Sequence, residues 1–411
     1  MNIRRIPGFI YHYKLHAILV LVTFIAVIIL LHHWGFVCTN LEARRHVSSV
    51  CSSHEDGFAM GVLCKPLCSD HTINSLVCES LHSGKETVFS ANWETTRIVF
   101  KAFRIKPVSE QYEALHWIDM DKKKHYPTED EFEAMISDLV LSKLNITASK
   151  RLLERLSHLR MGHYETDIKQ REFEMENVWL LLQENEYLIS IVYESYDLFP
   201  HFIGTCGTFY AVEYVYPIEN PTTLLALSDD INEWSKRLKL AIKIINYIDE
   251  IENNKIEKFY LCDVKINHFG TPIGDDTKLK FLDLDSVFPE SIISRILSDN
   301  KDCDKHEDCD YFDCRSVCSV NKRCESPVMN DNLQIVCEKI FLGWTLSGTI
   351  IIPGLLMSRR TTGALAVLLR QCANPHGDTV HLPRAPVSRE LRTRLYNMLI
   401  EMDKQYSNLQ T

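Results

Sequence analysis

All fourteen cysteines of this chain, from Cys38 to Cys372, follow an uncharged apolar stretch at residues 17–31 (AILVLVTFIAVIILL). Cysteines used this heavily persist as disulfides in an oxidising compartment, and an N-terminal apolar run is how a chain reaches one. Trp34, Phe36 and Val37 prolong the run to about 20 residues, enough to span a bilayer. Arg4, Arg5 and Lys14 precede it without an acidic residue, while Glu42 with Arg44 and Arg45 follows, so the positive-inside bias predicts a cytoplasmic N-terminus. No small-x-small cleavage pattern follows the run, which argues for an uncleaved signal anchor. The sequon Asn145-Ile146-Thr147 lies on the same side as the cysteines. A type II single-pass membrane protein with its body lumenal or extracellular is expected.

Composition narrows the function classes. Lys and Arg number 45 against 55 Asp and Glu, a formal net charge of −10, so no basic field for nucleic acid phosphate exists. With 45% apolar and 24% charged residues the chain is globular in character rather than disordered or polytopic. At 411 residues it has room for two to three domains.

The expected organisation is a cytoplasmic tail over 1–15, the anchor over 16–37, a Cys-rich juxtamembrane segment over 38–82, and a body from 83 onward. ETVFSANWETTRIVFKAF has the β-branched and aromatic enrichment of strands, and residues 129–160 are polar and helix-prone. Residues 178–193 (VWLLLQENEYLISIVY) read as one long buried helix, and TFYAVEYVY as a strand entering a Pro-bearing turn. Trp234, Leu238, Ala241, Ile245 and Ile248 recur at helical spacing, which predicts an amphipathic core helix over 231–253. FYLCDV and KLKFLDLD read as two short strands around a Gly274 turn. Residues 299–324 hold five cysteines among acidic residues with no C-x2-C pair, so disulfides are expected there rather than zinc. Residues 341–357 (FLGWTLSGTIIIPGLLM) are uncharged, but their glycines, hydroxyls and Pro353 suit a buried helix and loop, and the chain from 338 onward reads as helical.

The order of charged residues along the body carries the chemistry. A strand with Lys101 is followed by a helix with Glu186, a loop with Asp263 and Lys265, and a strand ending at Asp283. Protein kinases have this order. A strand Lys offers a point charge to nucleotide phosphates and a helix Glu fixes its direction. Asp263 can orient a hydroxyl and accept its proton, Lys265 can neutralise the transferring phosphoryl, and Asp283 offers hard oxygen to Mg²⁺. Glu184, on the same helix, is the alternative partner for Lys101. Cys206 and Cys262 have no base nearby in sequence and read as a structural disulfide pair or buried thiols rather than nucleophiles.

At these residues the sequence resembles the divergent protein kinase domain 1 family, Cys-rich single-pass kinase-like proteins of the endoplasmic reticulum membrane. The resemblance rests on the anchor with its Cys-rich sequel, on VWLLLQENEYL, CGTFYAVE, YLCDV, DCDYFDCRSVC and NLQIVC, and covers nearly the whole chain. It implies an α+β, two-lobed protein-kinase-like fold with disulfide-rich insertions, preceded by one transmembrane helix. The N-lobe would occupy 83–216, with a degenerate EF-hand-like insert, and the C-lobe 217–411, with a Cys-rich insertion near 299–337. It further implies an endoplasmic reticulum location and ATP with Mg²⁺ or Mn²⁺ as cofactor. Lys101 would be the nucleotide lysine, Glu186 its partner, Asp263 the catalytic-loop aspartate and Asp283 the metal aspartate.

Departures from the family pattern bear on activity. The Gly-rich loop reduces to Gly84, DFG becomes Asp283-Leu284-Asp285, and the Asn expected five residues after Asp263 is His268, with Asn267 one position early. The family's calcium loop would fall on His163 to Glu174, where Glu165, Asp167 and Glu174 keep ligand positions but His163 and Ile168 replace the first ligand and the turn glycine, so Ca²⁺ is not expected. Asp119 and Asp121, ahead of three lysines, read as solvated surface. Two functions follow: phosphoryl transfer to a lumenal protein or glycan, or a pseudokinase acting as a membrane-anchored lumenal scaffold. Fold alone does not choose between them.

Overall fold

Residues 86–103 alternate apolar and polar side chains with the period of a strand, and they form a hairpin of β2 (Glu86–Trp93) and β3 (Thr96–Phe103). With β1 (Ile73–Cys78), β4 (Phe202–Cys206) and β5 (Phe209–Glu213) they build an antiparallel sheet in the order β1-β2-β3-β5-β4. In this computed structural model the described residues are 16, 18–27, 39–79, 86–103, 115–159, 167–219, 230–254, 257–298, 301–325, 327–346, 349–377 and 384–408. The chain divides into two units. The first comprises Met1–Phe132, Glu154–Tyr187 and Phe202–Tyr214, and the second Glu133–Leu153, Leu188–His201 and Val215–Thr411. Residues 133–153 and 188–201 thus belong to the second unit, and the last change of unit falls after Tyr214.

In the first unit one face of the sheet, carrying Phe89, Ala91, Ile98, Phe100, Ala102, Phe209 and Ala211, is buried against the Cys-rich segment and α1 (Asn40–Glu55), which contribute Ala43, Val50, Leu63 and Leu67. The Cys-rich segment is thus a cap on the back of the sheet. Cys51–Cys68 closes it on itself, and Cys64–Cys206 ties it to β4. The cap also covers the sheet edge: Leu63 N–H donates to Thr205 O (3.0 Å) and Gly207 N–H to Met60 O (2.8 Å). That approach requires glycine at Gly61 (φ +145°), where a Cβ would lie 2.1 Å from Thr205 O. Along the chain three further helices follow, α2 (Glu129–Leu144), α3 (Lys150–Ser157) and α4 (Ile168–Gln183), of which residues 133–153 belong to the second unit. Arg171 of α4 is buried, donates to both oxygens of Glu129 at 2.7 Å, and meets Glu174 at 2.7 Å.

The expected single helix over 178–193 is interrupted. Glu184 is extended (ψ 120°), ending α4, and a second helix, α5 (Asn185–Val192), begins directly after it.

The second unit is built on α6 (Ile231–Glu252). Its buried stripe of Trp234, Leu238, Ala241, Ile245 and Ile248 is the one the spacing predicts. Short strands β6 (Val215–Pro217), β8 (Phe269–Pro272) and β9 (Lys280–Phe281) form a sheet in the order β9-β8-β6, so the Gly274 turn joins β8 to β9. FYL, expected on that hairpin, is instead β7 (Phe259–Leu261), antiparallel to β10 (Val287–Pro289). After α7 (Glu290–Leu297), the acidic insertion is closed by Cys303–Cys318 and Cys309–Cys324. The sulfurs of Cys303, Cys309 and Cys324 lie within metal-ligating distance of one another, but each is committed to a disulfide. Then come α8 (Asn332–Val336), α9 (Gly363–Ala373), tied back by Cys337–Cys372, and α10 (Arg389–Asn408). Arg392 of α10 reaches Asp249 and Glu252 of α6. Residues 341–357 are not the expected buried helix and loop. They include a hairpin, Gly343–Leu346 with Thr349–Pro353, on which Ile351 and Ile352 are exposed.

No described helix is long and apolar enough to cross a membrane. Of the expected anchor, residues 18–27 are helical with exposed side chains, and 28–37 lie outside the described residues.

Two buried carboxyls give stability opposite pH dependences. Burial, with Glu252 nearby, pushes the Asp331 carboxyl up to about 6 despite the hydrogen bond from Gln334 N–H and the charge of Arg392. Its folded value lies above the ordinary one, so its contribution is complete at low pH and is lost as pH rises through about 6. Burial also pushes Glu174 up, but the His158 hydrogen bond, Arg171 and Leu159 N–H outweigh it and hold the carboxyl at about 2. That contribution is present above the ordinary value and is lost as pH falls toward about 2. Thermal melts should show Asp331→Asn losing less stability than the wild type between about pH 5 and about pH 7. Parallel wild-type and variant curves would contradict this.

Candidate functional site

Lys101 lies on β3, paired across the ladder with Val88 of β2 and Tyr210 of β5. Because its neighbours Phe100 and Ala102 point into the cap, the period of two turns Lys101 to the opposite face. There its Nζ lies 2.5 Å from Glu186 Oε2, and Tyr210 Oη donates to the same oxygen at 2.9 Å. Glu186, only 2% exposed, stands in the first turn of α5, where a helix N-terminus favours negative charge. The break at Glu184 therefore decides which glutamate Lys101 meets. Glu184 ends the preceding helix, with its N–H on Leu181 O (3.0 Å), and Glu186 makes the pair. Tyr210 has no counterpart in the sequence-based reading, although its register opposite Lys101 follows from the strand pairing.

The second group belongs to the loop after β7. Lys265 Nζ lies 2.9 Å from Asp263 Oδ2, and Lys265 is exposed. His268 Nδ1–H donates to the Asp263 carbonyl at 3.0 Å, which leaves Nε2 3.4 Å from Asp283 Oδ2. Fixing Nδ1 on a carbonyl is how a histidine is held for metal ligation through its other nitrogen. Ligand atoms of Asp263, His268 and Asp283 all lie within 4.8 Å of one another. Two carboxylates and an imidazole at this separation suit one divalent cation, with Mn²⁺ matching the mixed oxygen and nitrogen set better than Mg²⁺. Asn267 is exposed on the short turn Ile266–His268.

The Cys-rich insertion holds this loop in place. Cys262, directly before Asp263, is bonded to Cys314, and Cys206 to Cys64, so both are structural disulfide cysteines as expected, but they are not bonded to each other. Asp313 N–H donates to Cys262 O (2.7 Å), and its Oδ2 accepts Val264 N–H (2.9 Å). Lys339 lies 2.8 Å from the other oxygen of Asp313. One turn upstream, Asn332 Oδ1 accepts Leu261 N–H (2.9 Å) and its Nδ2 donates to Phe259 O (2.8 Å). Neither Asp313 nor Asn332 is conspicuous in sequence, since each sits among similar polar residues.

Gly84, and His163 with Glu165 of the calcium-loop equivalent, lie outside the described residues. Within that stretch Glu174, the twelfth position, is bound by Arg171 and Leu159 N–H, and Ile168 is exposed.

Comparison with known proteins adds two family matches. A model described as the protein-kinase domain of FAM69 matches residues 178–375, and one described as the N-term cysteine-rich ER domain of FAM69 matches residues 5–158. Together they span most of the chain. Among solved structures, the chain is similar to one titled as the complex structure of Rv3197-erythromycin from Mycobacterium tuberculosis. Identity is 13%, over 56% of this chain and 51% of that one, with a TM-score of 0.23. The chain thus spans about half the length of that protein, and the similarity is too low to carry an argument.

Proposed function

The chain belongs to the FAM69 family with its protein-kinase-like domain, and on that premise we propose that it binds ATP with a divalent metal and transfers the γ-phosphoryl to a lumenal protein or glycan. The observation that carries this reading is the 2.5 Å pair of Lys101 with buried Glu186, an arrangement that directs an ammonium toward phosphate. In this reading Asp263 accepts the proton of the substrate hydroxyl, Lys265 neutralises the phosphoryl group in transit, and Asp283 with His268 holds Mg²⁺ or Mn²⁺. The bound metal would neutralise phosphate charge.

A pseudokinase acting as a lumenal scaffold is the second reading, and one observation favours it. His268 stands where the family pattern has Asn, and Mg²⁺ prefers oxygen to imidazole nitrogen. Thermal shift separates nucleotide binding from its absence. ATP at about 100 times its Kd stabilises by about 2.7 kcal/mol, and Lys101→Met should remove most of that shift. No shift with either metal would leave an interaction module alone.

The reading also sets the chain in the endoplasmic reticulum membrane as a single-pass type II protein with a lumenal body, supported by the basic N-terminal flank. Asn145 is exposed just past the end of α2, in the left-handed region (φ 55°), and so is open to modification. An endoglycosidase-sensitive mobility shift that disappears in Asn145→Gln is expected. In sealed microsomes, protease that digests the body while sparing the N-terminus would overturn the topology.

A further inference from the structure

A short hairpin in the first unit, Trp117–Ile118 paired with Lys124–His125, is a rigid projection with an apolar tip. Trp117 is 55% exposed, Ile118 61% and Met120 103%. Single exposed apolar residues are ordinary, but here three within four positions are gathered at the end of one hairpin, Trp117 and Ile118 on its strand and Met120 on its turn. The turn is ordered by its own bonds. Asp119 Oδ1 accepts the N–H groups of Asp121 (2.9 Å) and Lys123 (2.8 Å), and His125 Nε2–H donates to Oδ2 (2.7 Å). Lys122 takes the left-handed conformation (φ 61°) that closes it, and the Trp117 ring stacks on His125 at 5.8 Å.

The base of the hairpin is pinned to α4. Tyr126 Oη donates to Glu176 at 2.7 Å, and His116 Nδ1 lies 3.2 Å from the same oxygen. Next to the apolar residues, Lys122, Lys123 and Lys124 are exposed, and no described carboxylate pairs with them. Asp121 is the exposed acid beside them, so the tip remains positive in a chain whose net charge is −10.

We propose that this hairpin is a lipid-contacting finger that seats Trp117, Ile118 and Met120 at the headgroup level of a bilayer, with Lys122, Lys123 and Lys124 on lipid phosphates. Charge complementarity selects this occupant. Indole rings settle at the membrane interface, and lysine lays its methylene stem along apolar surface while its ammonium reaches phosphate. The same chain carries the uncharged run at 17–31, whose described side chains are exposed too. Lipid contact by the finger does not depend on phosphoryl transfer.

The test uses the full chain in proteoliposomes of phosphatidylcholine brominated in its acyl chains, with and without phosphatidylserine. Tryptophan quenching by bromine is compared between wild type and Trp117→Phe, and the difference isolates Trp117 from the other indoles. The expected result is a quenched Trp117 component that deepens with phosphatidylserine. It should shrink when Lys122→Gln, Lys123→Gln and Lys124→Gln are combined. Because all these residues are exposed, the variants should keep the wild-type melting temperature. A Trp117 component unquenched in both vesicle types overturns the proposal. Cross-links joining this hairpin in two copies of the chain also overturn it, in favour of self-association; a Trp117 shielded from iodide yet unquenched by bromine does so in favour of a protein partner.

Discussion

Asp283→Asn should abolish the metal-dependent part of ATP binding, whereas Asp263→Asn, which loses a carboxylate already paired with Lys265, should weaken binding less and remove turnover. The two aspartates differ in what surrounds them. Asp283 faces the free Nε2 of His268 at 3.4 Å, while Asp263 already has Lys265 on its Oδ2 at 2.9 Å. Losing the charge at Asp283 leaves an imidazole and a partly neutralised carboxylate, too little to hold a divalent ion against water. Changes one shell further out weaken metal sites by about 10- to 100-fold, so a ligand change should exceed that range. Removing a general base lowers turnover by about 10²- to 10⁴-fold. Calorimetric titration of ATP with Mg²⁺ and with Mn²⁺ reads the first effect, and phosphate transfer under saturating ATP the second. Equal ATP affinity in wild type and Asp283→Asn would exclude the metal role.

His268→Asn sharpens the test. It replaces an imidazole nitrogen by an amide oxygen, which suits Mg²⁺ better, so the variant's preference should move from Mn²⁺ toward Mg²⁺. An active enzyme should gain turnover with Mg²⁺. A scaffold should show the shift in metal preference and no turnover.

The elements read correctly from sequence are those whose periodicity answers to one buried face. The β-branched and aromatic enrichment of 86–103 marks both strands, and in the structure the period of two sets Lys101 opposite the residues buried under the cap. The stripe on α6 works in the same way. Errors arise where a local pattern fits two structures. VWLLLQENEYL contains no Gly or Pro, so the break at Glu184 has no local signal and follows from tertiary packing. The run Thr349–Pro353 is β-branched, but the glycines, hydroxyls and Pro353 of 341–357 fit a helix and loop as readily as a hairpin. Disulfide partners cannot be deduced from spacing, because Cys262 and Cys314 are brought together by folding across 52 positions. The order of Lys101, Glu186, Asp263 and Asp283 is visible in the sequence, and of these Lys101 and Glu186 form an ion pair. Asp313 was not, because an acid within an acidic insertion looks like solubilising surface until its hydrogen bond to Val264 is seen.

Breaking Cys64–Cys206 should be the most destabilising single change in the first unit. The bridge spans 142 positions, and the chain-entropy estimate for a loop of that size is about 5 kcal/mol. Whole domains are stable by only about 5–15 kcal/mol, so the loss approaches the entire margin. Structure adds to the entropy term. Both cysteines are fully buried, and the cap they hold covers Phe89, Phe100 and Phe209 and bonds the β4 edge through Leu63 and Gly207. A released cap would expose that face and an unpaired strand edge together. Cys262–Cys314, spanning 52 positions, should cost less, about 4 kcal/mol, yet act on chemistry, because it holds the residue before Asp263. Thermal melts of Cys64→Ala with Cys206→Ala, and of Cys262→Ala with Cys314→Ala, separate the two roles. The first pair should unfold or aggregate far below the wild-type melting temperature. The second should retain more structure while losing the metal dependence of nucleotide binding. A first pair that melts with the wild type would show that packing alone holds the cap.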